Sequence, residues 1–332
     1  MAFRLKLVPT HTEWDFFRHQ WLTFWLALIL TVISAFSLFW PGLSFGIDFK
    51  GGTTIRTEST EPLRIDAYRG ALEGLHLGDV LISEVFDPSF RADQHVASIR
   101  IQAQQDGAAA MDETGIGRVT EALKTVDPDV RVVSTESVGP KVSGELIWTA
   151  VWSAVATILC IMVYIWIRFE WQFALGTVVG LLHDLFLTIG VFVLFRIKFD
   201  LSIVAALLTI LSYSVNDKVV VFDRLRENLT KFKTMPLRDV MNLSVNETLS
   251  RTVATSMTTL LALVPLLIWG GDVIRGFVFA MVWGVFVGTY SSIFISKNIV
   301  LMLGVNRDKK KVDPSAKLFG DKVEVPDADQ PR

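Results

Sequence analysis

The sequence predicts a polytopic α-helical membrane protein with six transmembrane helices and a small α+β extracytoplasmic domain between helices 1 and 2. Three observations point there. The chain of 332 residues is 51% hydrophobic. Several of its stretches of about 20 residues carry almost no charge, the length that crosses a hydrocarbon core of about 30 Å. They fall at about 21–40, 147–167, 173–195, 199–222, 252–269 and 276–303. Between the first two, the segment 41–146 switches to alternating strands and two amphipathic helices. A net charge of -2 with clustered basic residues leaves no footprint for nucleic acid.

Residues 1–20 form an N-terminal arm. The stretch 21–40 is too long for a signal-peptide core and has no A-x-A-like site before Pro41 and Gly42, so it is expected to remain as an anchor. Within 41–146, "GGTTIRTES" reads as a strand, and Ile65, Tyr68, Leu72 and Leu75 then recur at helical spacing. "VLISEVFD" and "HVASIRIQA" alternate like half-buried strands. Val119, Leu123 and Val126 mark a second helix ahead of "VRVVSTESV". The order β-α-β-β-α-β is the split-βαβ, ferredoxin-like pattern, and about 100 residues suffice for its core. That fold says nothing of function. The spacing of His76 and His95 matches no metal-ligand motif. "FKGGT" lacks the Gly-Lys-Ser/Thr ending of a phosphate loop, which argues against ATP hydrolysis. The single cysteine, Cys160, is read as a small apolar packing residue.

Basic residues set the expected orientation. Arg4, Lys6 and Arg18 lie on the arm, and Arg168 follows span two. Arg224, Arg226, Lys231, Lys233, Arg238 and Arg251 are assigned to a loop after span four. Arg307, Lys309, Lys310 and Lys311 open a tail, 304–332. The opposite side has only Arg196, Lys198 and Arg275 in its short loops. Both termini are therefore expected in the cytoplasm, with the 41–146 domain outside and spans two to six within 147–303.

Ionisable groups inside the spans cost about 2.5–3.5 kcal/mol on insertion scales, so each needs a reason. Asp217 lies about five residues from the expected end of span four, about 8 Å along the helix. Asn216, Ser202, Thr209, Ser212 and Tyr213 extend a polar side on which other helices are expected to pack. Lys218 is read as snorkelling to the cytoplasmic surface. Arg251 is either the ion-pair partner of Asp217 or a headgroup anchor for span five. Asp184 falls near the middle of span three, on one face with Gly176 and Gly180. His183 is read as pointing elsewhere. For His183 and Asp184, a proton relay and a structural hydrogen bond both stay open. Gly284, Gly288, Ser292 and Ser296 recur every fourth residue as a packing seam. Thr255, Ser256, Thr258 and Thr259 either line a water file or pack against neighbours.

Four motifs, "FGIDFKGGT", "VGPKVSGEL", "SYSVNDKVVVFDRLREN" and "SRTVATSMTTL", together resemble the SecF family. Its members are the smaller membrane subunits of the bacterial SecD–SecF protein-export factor, in the resistance-nodulation-division superfamily. The resemblance runs from about Phe16 to Gly304. It implies an auxiliary subunit that, with SecD, couples proton flow down the proton-motive force to late polypeptide export across the inner membrane. It implies no enzymatic activity and no cofactor, protons being the coupling ion. The implied partners are SecD, the SecYEG translocon with YajC and YidC, an unfolded exported polypeptide and the lipid bilayer. The acid of the family's Asn-Asp motif falls on Asp217, beside Asn216, and the basic residue of the next helix on Arg251. Lys218 departs from the small hydroxyl residue that many members carry. Asp184 joins the candidate set on its depth alone.

Two other readings use the same residues. A small-molecule efflux subunit would need larger, duplicated outer domains than one of about 100 residues. A non-transporting assembly factor would use its intramembrane polar groups only to bind partners. No nucleophile–base or metal constellation supports a membrane enzyme.

Overall fold

A computed structural model describes residues 12–77, 80–88, 90, 91, 93–102, 111 and 113–305. Arg4, Lys6, Arg307, Lys309, Lys310 and Lys311 lie outside the described residues. In chain order the elements are α1 (Gln20–Ser37), β1 (Ser44–Phe45), α2 (Ile47–Lys50), β2 (Gly52–Ser59), α3 (Ile65–Glu73), β3 (Val80–Val85), β4 (His95–Gln102) and α4 (Glu113–Lys124). There follow β5 (Arg131–Val138), α5 (Pro140–Arg168), α6 (Trp171–Leu194), β6 (Lys198–Phe199), α7 (Leu201–Lys231), α8 (Leu237–Trp269) and α9 (Asp272–Ser291). A π-helical turn, Ser292–Ser296, then joins α9 to α10 (Lys297–Leu303). Among the described residues, 6 helices are long and apolar enough to cross a membrane: α1, α5, α6, α7, α8 and the run Asp272–Leu303.

The outer domain has the expected order. Its antiparallel sheet runs β3-β4-β2-β5, with β2 between β4 and β5. Ile55 and Ile99 face each other across β2 and β4 and pack on Leu72 of α3 and on Val119 and Leu123 of α4. Tyr68 is buried there, and its hydroxyl donates to Asp127 at 2.8 Å. Burial, and then that carboxylate, push the Tyr68 hydroxyl above its usual range. The two glycines of "FKGGT" turn the chain from α2 into β2 at φ +74° and +143°, conformations that a side chain would strain.

Short pairings tie this domain to the helices. β1 and β6 run parallel, and the Gly46 amide donates to the Phe199 carbonyl at 2.7 Å. Asp48 accepts from the Leu201 amide at 2.9 Å. Phe86 and Asp272 exchange two bonds: the Phe86 amide to Oδ2 at 2.8 Å, and the Asp272 amide to the Phe86 carbonyl at 3.0 Å. The outer domain is thereby held on the α6–α7 and α8–α9 turns.

The main correction concerns the loop expected after span four. Arg224, Arg226 and Lys231 lie on α7, and Arg238 and Arg251 on α8, leaving only 232–236 between the helices. The two helices continue as a hairpin because one face stays apolar and buried, with Val221, Phe222 and Leu225 against Val240, Met241 and Val245. Polar contacts fasten its other side: Arg224 to Glu247 at 2.6 Å and Asn228 to Ser244 at 3.0 Å. Asp223, on the exposed side of α7, pairs with Arg168 at 3.2 Å. Cys160 is exposed on α5 rather than packed.

Candidate functional site

Asp217 sits well inside α7, because the helix runs on to Lys231. The next residue, Lys218, bonds to Asp184 in the middle of α6, which places Asp217 at the same depth. Its side chain is buried and faces α8, where Thr255 Oγ1 donates to Oδ1 at 3.5 Å. Oδ2 makes no hydrogen bond among the described residues. Arg251, one turn earlier on α8, is exposed and forms no ion pair with this carboxylate. The two residues share a neighbourhood, but the Arg251 side chain is exposed. Asn216 is also exposed, with Thr209 and Ser212 on the same side of α7. The polar side expected to face other helices lies on the surface of this chain.

Lys218 overturns its snorkelling assignment. It is 0% exposed, and Nζ donates to Asp184 Oδ2 at 3.0 Å, to Ser291 at 2.9 Å and to Ser214. Successive helical residues lie about 100° apart, so Asp217 faces α8 while Lys218 turns towards α6 and α9. Small residues make the room. A Cβ on Gly180 would occupy the place of Lys218 Cε, and one on Gly288 would meet Ser214. The Gly-Ser seam of span six thus packs α9 against α7 and α6, as its spacing predicts.

Asp184 collects four partners. Ser214 donates at 2.6 Å and Ser291 at 2.8 Å to Oδ2, beside Lys218, while His183 Nδ1 lies 3.1 Å from Oδ1. His183 therefore turns towards Asp184 rather than elsewhere. Its Nε2 makes no hydrogen bond among the described residues, and the ring lines a cavity of about 710 Å³ between α1, α6 and α9. Removing a charge from water costs several kcal/mol, which only a well-bonded opposite charge offsets. Asp184 and Lys218 meet that condition. The hydroxyls of α8 divide: Thr255 reaches Asp217, Thr259 accepts from Tyr213 at 3.2 Å, Ser256 bonds Thr289 at 2.7 Å, and Thr258 bonds its own helix.

Sequence reasoning missed Lys297, which is fully buried on α10. Its ammonium donates to the Phe16 carbonyl at 3.1 Å and lies 3.7 Å from the Phe17 ring centroid. A lysine inside an apolar span was the available signal. Among the described residues, no group of three His, Cys, Asp or Glu side chains is placed to hold a metal ion.

Comparison with known proteins bears on what this arrangement serves. Residues 118–306 match the model of the protein export membrane protein SecD/SecF C-terminal region, and residues 36–62 match the SecD/SecF GG motif. The protein translocase subunit SecF of Rhodobacter capsulatus is 66% identical over 324 residues, covering 96% of this chain and 97% of that protein. The chain belongs to the SecF family. SecF of Cereibacter sphaeroides is 64% identical over 316 residues, covering 95% of this chain and 97% of that one. The crystal structure of SecDF from Thermus thermophilus superimposes with a TM-score of 0.77 at 29% identity, over 90% of this chain. The chain spans 39% of that SecDF chain. This SecF is accordingly a multi-pass bacterial membrane protein and a subunit of the Sec protein translocase, with SecD as its partner. The GG motif coincides with the turn at Gly51 and Gly52.

Proposed function

We propose that this SecF, joined to SecD in the bacterial inner membrane, couples inward proton flow to the outward movement of exported polypeptide late in translocation. Both termini lie in the cytoplasm and the ferredoxin-like domain outside. The further partners are the SecYEG translocon with YajC and YidC, and the unfolded chain in transit. No cofactor takes part; the coupling ion is the proton. Asp217 carries it, Arg251 supplies a movable counter-charge, Asn216 belongs to the polar surface beside it, and Asp184 anchors the helices behind it.

The supporting observation is the state of Asp217: a buried carboxylate with one oxygen unbonded among the described residues, at the edge of an exposed polar strip. Thr209 and Ser212 bond carbonyls of their own helix, but the exposed Asn216 amide is costly to place in lipid, so the strip suits a protein partner. With SecD covering it, Asp217 and Arg251 lie at the seam between two subunits. A sliding motion there would bring the guanidinium to the carboxylate or withdraw it, changing which protonation state is favoured. One charge moved through 100 mV supplies about 2.3 kcal/mol, enough to bias a two-state equilibrium by more than tenfold. The outer domain, held on the turns of α6–α7 and α8–α9, would move with them.

The test is export in inverted membrane vesicles with and without a proton gradient. Asp217→Asn should co-purify with SecD in normal amounts and lose the gradient-stimulated part of export. Normal stimulation in that variant refutes the role of Asp217. Failure to bind SecD would favour a purely assembly-related role.

A further inference from the structure

The Lys218–Asp184 pair has no part in the mechanism above beyond anchoring, yet its geometry is that of a transfer site. Both side chains are 0% exposed, and the pair joins α6 to α7. Two hydroxyls bridge it, Ser214 and Ser291, each accepting from Lys218 and donating to Asp184. His183 Nδ1 bonds the far carboxylate oxygen, and its Nε2 is left without a hydrogen bond at the wall of the 710 Å³ cavity. The other ionisable groups nearby are Asp217, adjacent on α7, Tyr290 of α9, whose ring centroid is 6.2 Å from that of His183, and Arg196, which lines the same cavity. α1 brings no ionisable residue to the cavity. Lys297 is held apart, at Phe16 and Phe17.

We infer that Lys218 and Asp184 form a second proton-exchange station in this chain, fed through His183, in addition to Asp217. The inference rests on the proton-coupling reading. A buried lysine and carboxylate carry no net charge either as an ion pair or as a neutral amine and acid. Passing from one form to the other therefore leaves the core without net charge. In the unloading step the Lys218 ammonium passes a proton to the Ser214 hydroxyl, which passes its own to Asp184, and the acid gives a proton to neutral His183 at Nδ1. The reverse sequence returns a proton from His183 through Asp184 and Ser214 to the amine and restores the ion pair. Lysine suits this duty because its ammonium can surrender a proton when buried, whereas a guanidinium keeps its own.

The experiment compares gradient-stimulated export in vesicles for three variants, each scored for co-purification with SecD. The double variant Lys218→Met with Asp184→Asn removes both charges and keeps the volume. It should bind SecD normally yet lose the gradient-stimulated increment. Lys218→Arg keeps the charge and should lose that increment too. Full stimulation in the double variant would reduce the pair to packing and overturn the inference. So would failure of the double variant to bind SecD, or full stimulation in Lys218→Arg. Asp217→Asn is the third arm. If it alone retains stimulation, the assignment of Asp217 fails and the Lys218 station stands; the reverse pattern removes Lys218 and leaves Asp217.

Discussion

Gly180 has no side chain, and Lys218 Cε occupies the place a methyl group would need. Overpacking a filled core costs about 1–3 kcal/mol. Gly180→Ala should therefore lower the thermal unfolding midpoint of the detergent-purified protein. An unchanged midpoint would mean that Lys218 moves aside freely. This residue also explains a failure of sequence reasoning. Snorkelling was inferred from a helix end expected near residue 222, but Lys218 turns into the bundle, where Asp184 and Ser291 bind its ammonium. Asp217 and Asp184 were legible because a short acidic side chain in an apolar run has few explanations. Their partners were not. Which of Lys218 and Arg251 meets a carboxylate depends on helix rotation and on the neighbouring small residues, and neither is written locally. The structure pairs Lys218 with Asp184 and leaves Arg251 exposed.

At the scale of elements, the extension of α7 and α8 was hidden by its charges, which read as loop although they alternate with an apolar stripe. Glu247 accepts from both Arg224 and Asn228 across the hairpin, so this charge marks a helical seam. The N-terminal arm depends on the same hairpin. Asn246 accepts from the Trp14 amide at 2.9 Å and donates to the Trp14 carbonyl at 2.8 Å. Asn242 bonds the Phe16 amide at 2.9 Å. Asn246→Ala removes both bonds to the Trp14 backbone and should speed amide hydrogen exchange across residues 14–17. Unchanged exchange would show that Lys297 and Asn242 hold the arm alone. Each of these contacts joins residues more than 220 positions apart in the chain, as from Phe16 to Asn242, beyond the reach of local pattern.

For the whole molecule, the ferredoxin-like domain was readable because period-two strands and period-3.6 helices alternate cleanly through it. Its attachment was not, since β1 and β6 are two residues each and gain meaning only when paired. The exposed polar strip on α7 is the surface proposed to meet SecD. Replacing Ser212 and Asn216 by leucine should suit lipid better than SecD and reduce co-purification with it. Normal recovery of the complex would place the SecD contact elsewhere. Proton flux into liposomes holding the SecD–SecF complex, driven by an imposed gradient, reads the proposed role of Asp217 without the intervening steps of export. Asp217→Asn should abolish the flux in an intact complex, and Asp217→Glu should retain it. Flux through Asp217→Asn equal to that of the unaltered protein would exclude Asp217 as the proton carrier.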